Sequence, residues 1–301
     1  MNKSKKVTSK TRDTVVMLIE ADMCNINGDP GSSCGGPRLT SDGHAMISQY
    51  CFKSHMRRTL EDHSSPAFKE IMEKCGITDY DCYHIWESQF KGFDEAETTK
   101  AALAMAKKLS KEEILNRYVD LRLFGTTILE QKESKDALKI IKTGPVLVQT
   151  SKTIDPVNII HLQLAKRFPL EEKKVDNDHG TFGDAEIIEY GIFMLVFEID
   201  SYLANTIGLT TKDIEVMKTL IPHLFYTNCS SARPGSCGVL FAATCKHDSV
   251  YPIRTAFIKN CTPILKDPTR TPSNCNDYDI VTIEQVKAKM SDKECVITEL
   301  V

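Results

Sequence analysis

The stretch "IIEYGIFMLVFEI", Ile187 to Ile199, is the strongest β-forming run in the chain. Branched and aromatic side chains dominate it, and these suit the pleated surface of a strand. Three other runs read the same way. Thr14 to Ala21 carries Val15, Val16, Leu18 and Ile19. Pro145 to Thr153, "PVLVQTSKT", passes from apolar to alternating, and Gly238 to Thr244, "GVLFAAT", is short and apolar, as a central strand would be. Two helices pair with these strands. Ser48 to Leu60 puts Cys51, Phe52, Met56, Thr59 and Leu60 on one face. Thr210 to Phe225 opens on "TTKD", in which Thr210 and Asp213 have capping-box spacing. The order is strand, helix, strand, strand, helix, strand. It predicts an α+β fold with a ferredoxin-like (βαββαβ) core. That core serves many functions, so function has to be argued from sites.

Two long insertions interrupt the core. Residues 63–144 follow the first helix and read as largely helical, as in "TTKAALAMAKKLSKEEILNRYVDLRLFG". Trp86, the only tryptophan, reads as helical core. Residues 154–186 separate the second and third strands and include the turn-rich "FPLEEKKVDNDHGTFGD". Insertions of this length within a compact domain are usually functional or disordered. The last forty residues are rich in Pro, Asn and Asp, with one short helix candidate, "TIEQVKAKM".

Composition narrows the function classes. The 301 residues are 41% hydrophobic and 26% charged, which is ordinary for a globular protein. No run of eighteen apolar residues occurs, so no membrane span is expected. The start, "MNKSKKVTSKTR", is basic but has no apolar run behind it, and it reads as a solvated tail rather than a secretory signal. Eleven scattered cysteines without a CxxC fit reduced thiols in the cytoplasm better than a disulfide framework or a zinc site. The histidines show neither HxxxH nor HExxH spacing. No metal or other cofactor is therefore expected. A net charge of −3 argues against a stand-alone, nonspecific nucleic-acid binder, although a basic face on an acidic protein would escape that objection.

The best cationic cluster surrounds the first helix. Lys53 and Arg57, at i and i+4, project from one helical face. Ser48 lies at the helix N-terminus, where free N–H groups and the dipole favour a phosphate. Before it runs "MCNINGDPGSSCGGPR", Met23 to Arg38, whose glycines permit close backbone approach. Such a helix also suits plain solvation, and such a loop also suits a simple connection. On the second strand, alternation puts Gln149 and Ser151 on one face beside Lys152, where they suit either phosphate and ribose contacts or an exposed strand end.

Five blocks together carry a family resemblance. "NINGDPGSSCGGPRLTSDGHAMISQYCFKSHMRR", "YVDLRLFG", "TGPVLVQTSKTIDPV", "EYGIFMLVFEID" and "IPHLFYTNCSSARPG" resemble, in order, the backbone subunit of type I CRISPR surveillance complexes (Cascade), of the RAMP superfamily and most like subtype I-C. The likeness runs from about residue 13 to 247 and fades over the C-terminal forty residues. It implies a hand-like molecule: a modified RNA-recognition palm over 13–62, 145–153 and 187–260, helical fingers over 63–144 and a thumb over 154–186. A basic tail, 1–12, and a C-terminal extension, 261–301, would flank these parts.

By that resemblance the partners are CRISPR guide RNA, target DNA paired to the guide, copies of the same chain and other Cascade subunits. The subunit would be non-catalytic and prokaryotic. The guide contacts in the Gly-rich loop would be Asn27 and Arg38, the latter belonging with Ser48, Lys53 and Arg57 to the best constellation of candidate contacts. The resemblance also adds Arg233 in "SSARPG", which alternatively satisfies helix C-terminal carbonyls. Phe182 or Leu170 would be a thumb wedge between nucleotides; Asp184 and Ala185 stand where relatives often carry basic residues. Related type III backbone subunits cut target RNA with a loop aspartate, for which Asp22 and Asp29 are the candidates here; a lone Asp in such a loop is commonly a turn former. A small-molecule-binding ferredoxin-like regulator is the reading without nucleic acid.

Overall fold

A computed structural model describes residues 11–87, 108–129, 139–165, 182–225, 237–248 and 252–301. The sheet is built on two long strands, β1 (Arg12–Cys24) and, further along, a strand covering Phe182–Asp200. After β1 come β2 (Met46–Ile47), helix α1 (Gln49–Glu61) and helix α2 (Pro66–Lys74). The first insertion then contributes α3 (Lys111–Arg117), α4 (Val119–Phe124) and a hairpin of β3 (Gly125–Leu129) and β4 (Lys139–Thr143). Next are β5 (Val146–Val148), β6 (Ser151–Thr153), β7 (Ile159–Ala165) and β8 (Phe182–Asp200). The chain continues through α5 (Ser201–Ile207), α6 (Thr211–Thr219), β9 (Cys237–His247) and α7 (Pro252–Cys261). It ends with β10 (Ile264–Leu265), β11 (Tyr278–Asp279), α8 (Ile283–Lys289) and β12 (Cys295–Glu299).

The main sheet runs β12–β9–β1–β8–β6–β2, with β5 and β7 also paired to β8, and every pairing is antiparallel. The four strands anticipated from the sequence therefore lie side by side as fourth, first, third and second. Its central strands are buried on both faces, which is why β1 reads as a nearly unbroken apolar run. Val15, Met17 and Ile19 pack to one side, with Phe52, Met56 and Leu60 of α1 and Val216 and Met217 of α6. Phe52 lies 5.7 Å from Phe197 of β8, ring to ring. Val16 and Leu18 pack to the other side, against Phe257 of α7 and Ile283 and Val286 of α8. Gly191, inside β8, has a steric reason: a Cβ there would meet Val157 at 2.9 Å and Thr153 at 3.1 Å.

Several boundaries depart from expectation, each for a local cause. The second strand is split. Val148 faces Phe197 while Lys152 faces Met194, so four steps on one side oppose three on β8. One extra residue bulges out, leaving Gln149 and Thr150 both exposed and resetting the alternation. Helix α6 stops at Thr219, and a 3-10 turn over Ile221–His223 follows; Pro222 has no N–H with which to continue the α-helical ladder. Trp86 lies in a turn rather than a helix and packs edge-on against Tyr118, 5.1 Å away. The described part of 63–144 includes the β3–β4 hairpin as well as helices. Residues 252–301 cover the second sheet face and add β12 beside β9. Among the described residues no helix is long and apolar enough to cross a membrane, and ten cysteines are unbridged.

Candidate nucleic-acid interface

The Gly-rich loop folds back on itself as an irregular ribbon. Gly28 bridges Pro37, and Leu39 bridges Ala45. Asp29 N donates to Gly36 O at 2.7 Å, while the Asp29 carboxylate accepts from Gly31 N at 3.0 Å. Asp29 thus makes an Asx-type turn, the use such a residue commonly finds in a tight loop. Asp22 sits exposed on β1 opposite Tyr190. Gly36 is pressed against β8, where a Cβ would collide with the Glu186 carboxylate. That carboxylate also meets His161 Nδ1 of β7 at 3.1 Å. The close approach that needs glycine here is made to the root of the β7–β8 hairpin.

The loop is fastened to the start of α1. Asn27 Oδ1 accepts from both the backbone N–H and the hydroxyl of Ser48, each at 2.9 Å. Ser48 is the N-cap, its Oγ accepting from Cys51 N at 3.2 Å. These two anticipated guide contacts, Asn27 and Ser48, therefore bind each other. Arg38 Nε donates to Gly28 O at 3.4 Å, and the Arg38 carbonyl accepts from Met46 N at 2.8 Å. Met46 faces Lys152 across the β2–β6 pair. Lys152 is exposed and reaches Asp42 at 3.7 Å. Contacts thus link Lys152, Arg38, Asn27, Ser48 and α1 into one strip.

Two of the anticipated contacts, Ser151 and Arg57, already make bonds within the chain. Ser151 is buried and its hydroxyl donates to Met194 O at 2.7 Å, because the bulge turns it away from the exposed Gln149. Arg57 is 14% exposed in its side chain and paired to Asp120, whose side chain is fully buried, through Nε at 3.1 Å. Its Nη2 donates to Glu87 at 3.1 Å. Asp120 further accepts from the backbone of Trp86 at 2.9 Å and of Glu87 at 3.3 Å. A buried carboxylate needs such partners, and Arg57 is the only cation that ion-pairs with it among the described residues.

Lys53 makes no ion pair among the described residues. Its ammonium lies 5.4 Å from the centre of the Phe124 ring, and the Arg57 guanidinium lies 5.0 Å from the same centre. Burial pushes the Lys53 ammonium below the usual lysine range, and Arg57 pushes it further down, against a smaller opposing pull from Glu87. A desolvated cation of this kind gains from an arriving anion. Arg233 and Leu170 lie outside the described residues. Phe182 opens β8, where its backbone faces Ala165 of β7.

Sequence reading missed Asp120, Glu87 and Phe124, which organise the site from the first insertion. Spacing held no signal for them, since Asp120 is 63 residues from the arginine it holds. Among the described residues no group of three His, Cys, Asp or Glu side chains is arranged to hold a metal ion.

A family model described as CRISPR-associated protein Cas7 matches residues 11–283. The CRISPR-associated protein Cas7 of Haloferax volcanii is 24% identical over 228 residues, covering 71% of this chain. The match spans 64% of that relative's length, so the chain covers less than two thirds of it. Among solved structures, a chain from a CRISPR RNA-guided surveillance complex, pre-nicking, is similar with a TM-score of 0.49 at 12% identity. That likeness covers 95% of this chain and 90% of the other. A chain from a second CRISPR RNA-guided surveillance complex gives a TM-score of 0.43 at 12% identity, covering 95% and 87%.

Proposed function

Because the chain belongs to the Cas7 family of CRISPR-associated proteins, we propose that it is a guide-RNA-binding backbone subunit of a type I surveillance complex, most like subtype I-C. It assembles in copies along the guide with other Cascade subunits, in the cytoplasm of a prokaryote. It holds the guide's phosphates and leaves the bases to pair with target DNA. In this reading the β9–β1–β8–β5/β6 sheet with α1 and α6 is a ferredoxin-like, modified RNA-recognition palm. The first insertion is the fingers, and the β7–β8 hairpin is the stem of the thumb.

One observation carries the reading. The Gly-rich loop closes on the N-terminus of α1 through Asn27 and Ser48, beside the desolvated Lys53. Lysine and arginine side chains along such a strip bind phosphates without reading sequence, as a guide holder requires. The role is non-catalytic, a view supported by the engagement of the Asp29 carboxylate in its own turn.

The test is to purify the full chain at low salt from a host carrying the CRISPR array and to extract any bound RNA. RNA of regular length with repeat-derived ends is expected. Nucleic-acid-free protein that binds no single-stranded RNA at low salt would refute the reading. Metal-dependent cutting of guide-complementary RNA, lost in Asp29→Ala, would refute the non-catalytic assignment.

A further inference from the structure

We propose that Glu87 is a built-in stand-in for a nucleic-acid phosphate, occupying the anion site formed by Lys53 and Arg57 beside the Phe124 ring until a backbone phosphate displaces it. The inference rests on the reading above that this face of α1 receives RNA phosphates. It deepens that reading by adding a competitor from the chain itself.

The two carboxylates on Arg57 differ in kind. Asp120 is fully buried and holds Nε, the side of the guanidinium nearer the chain. Glu87 has a side chain 61% exposed and holds only the outward Nη2, at 3.1 Å. The Glu87 backbone is fixed separately, its N–H donating to Asp120 at 3.3 Å. Its carboxylate can therefore leave Arg57 by side-chain rotation alone, with Asp120, Trp86 and the backbone remaining in place.

What Glu87 vacates is suited to a phosphate. Nη2 keeps a donor directed outward on a guanidinium whose orientation Asp120 has already set. Lys53 is near enough for Glu87 to favour its charged form, so the same carboxylate acts on both cations. The Phe124 ring lies within 5.4 Å of both cationic groups and limits their hydration from that side. An exposed carboxylate is a weak competitor, because exposed ion pairs gain little over water. It does neutralise the site when no RNA is present, which disfavours retention of unrelated anions.

The experiment uses the full chain stripped of nucleic acid in high salt and a labelled 30-nucleotide polyuridine strand, with affinity measured over a sodium chloride series. Glu87→Gln should bind about two- to fivefold tighter than wild type, the factor that corresponds to losing one exposed ion pair. Its log K against log salt should also steepen, because Arg57 then exchanges a salt anion, rather than Glu87, for the phosphate. Lys53→Ala should weaken binding in either background. If Glu87→Gln does not fold, Glu87→Asp keeps the charge on a shorter arm and should lie between the two affinities. Wild-type affinity and slope in Glu87→Gln, with Lys53→Ala still weakened, would overturn the proposal and leave the RNA site standing. Binding by wild type that neither substitution alters would overturn the site assignment together with the proposal.

Discussion

Arg57 and Lys53 share one helical face and differ in what they do for the protein. Arg57→Ala would leave Asp120 buried without its cation, which typically costs about 3–5 kcal/mol. The two backbone N–H bonds to Asp120 favour the lower end of that range. Urea unfolding of Arg57→Ala should accordingly show a large loss of stability, and Lys53→Ala almost none, while Lys53→Ala weakens RNA of every sequence. A pH series separates them again. The folded pKa of Lys53 is held below the usual lysine value, so its charge is lost earlier as pH rises than that of an exposed lysine. RNA affinity should fall on the alkaline side, with a proton taken up on binding in that window, and Lys53→Arg should remove the fall. At this scale the sequence was half legible. The i, i+4 spacing located both cations, but only the folded chain reveals that one of them is committed to an aspartate 63 residues away.

Among the elements, the join between the first insertion and α6 is the most tightly specified. Arg122 of α4 gives Nε and Nη2 to both oxygens of Asp213, at 3.0 and 2.9 Å, with both side chains buried. Its remaining donors go to the carbonyls of Cys82, Leu115 and Asn116. Asp213 in turn completes the capping box of α6, accepting from Thr210 N at 2.9 Å. "TTKD" announced the box, but it gave no sign that the same carboxylate would also take a guanidinium. Arg122→Ala should cost about 3–5 kcal/mol and fray the start of α6, seen as loss of amide-exchange protection around Asp213. Strand and helix order was readable because apolar periodicity is a local signal. The bulge at Gln149 was not, since it arises from a register that only pairing with β8 defines.

For the whole molecule, the second face of the sheet decides the architecture. Residues 252–301 cover it through Phe257, Cys261, Tyr278, Ile283, Val286 and Met290. In sequence the last forty residues offered one short helix candidate among Pro, Asn and Asp, with no sign of the face they cover. Removing residues 262–301 would take Tyr278, Ile283, Val286 and Met290 out of the cluster that holds Val16, Leu18 and Ile192, and the truncated chain should aggregate rather than bind RNA. Light scattering after expression checks this. Burial raises the Cys245 thiol and pushes Cys261 up to about 12, so in the intact chain both should resist alkylation near neutral pH.

Strand β8 is a single beam. Its nineteen residues extend roughly 60 Å at the usual rise. From Ile188 to Asp200 it is clamped by β1, whereas from Phe182 to Ile187 it overhangs with β7 alone. Glu186 stands just beyond the clamp, wedged against Gly36 and tied to His161. A load applied at the far end of this cantilever bears on its support, where the Gly-rich loop lies. A push on the hairpin would therefore reach the loop at Gly36, where the Glu186 side chain leaves no room for a Cβ.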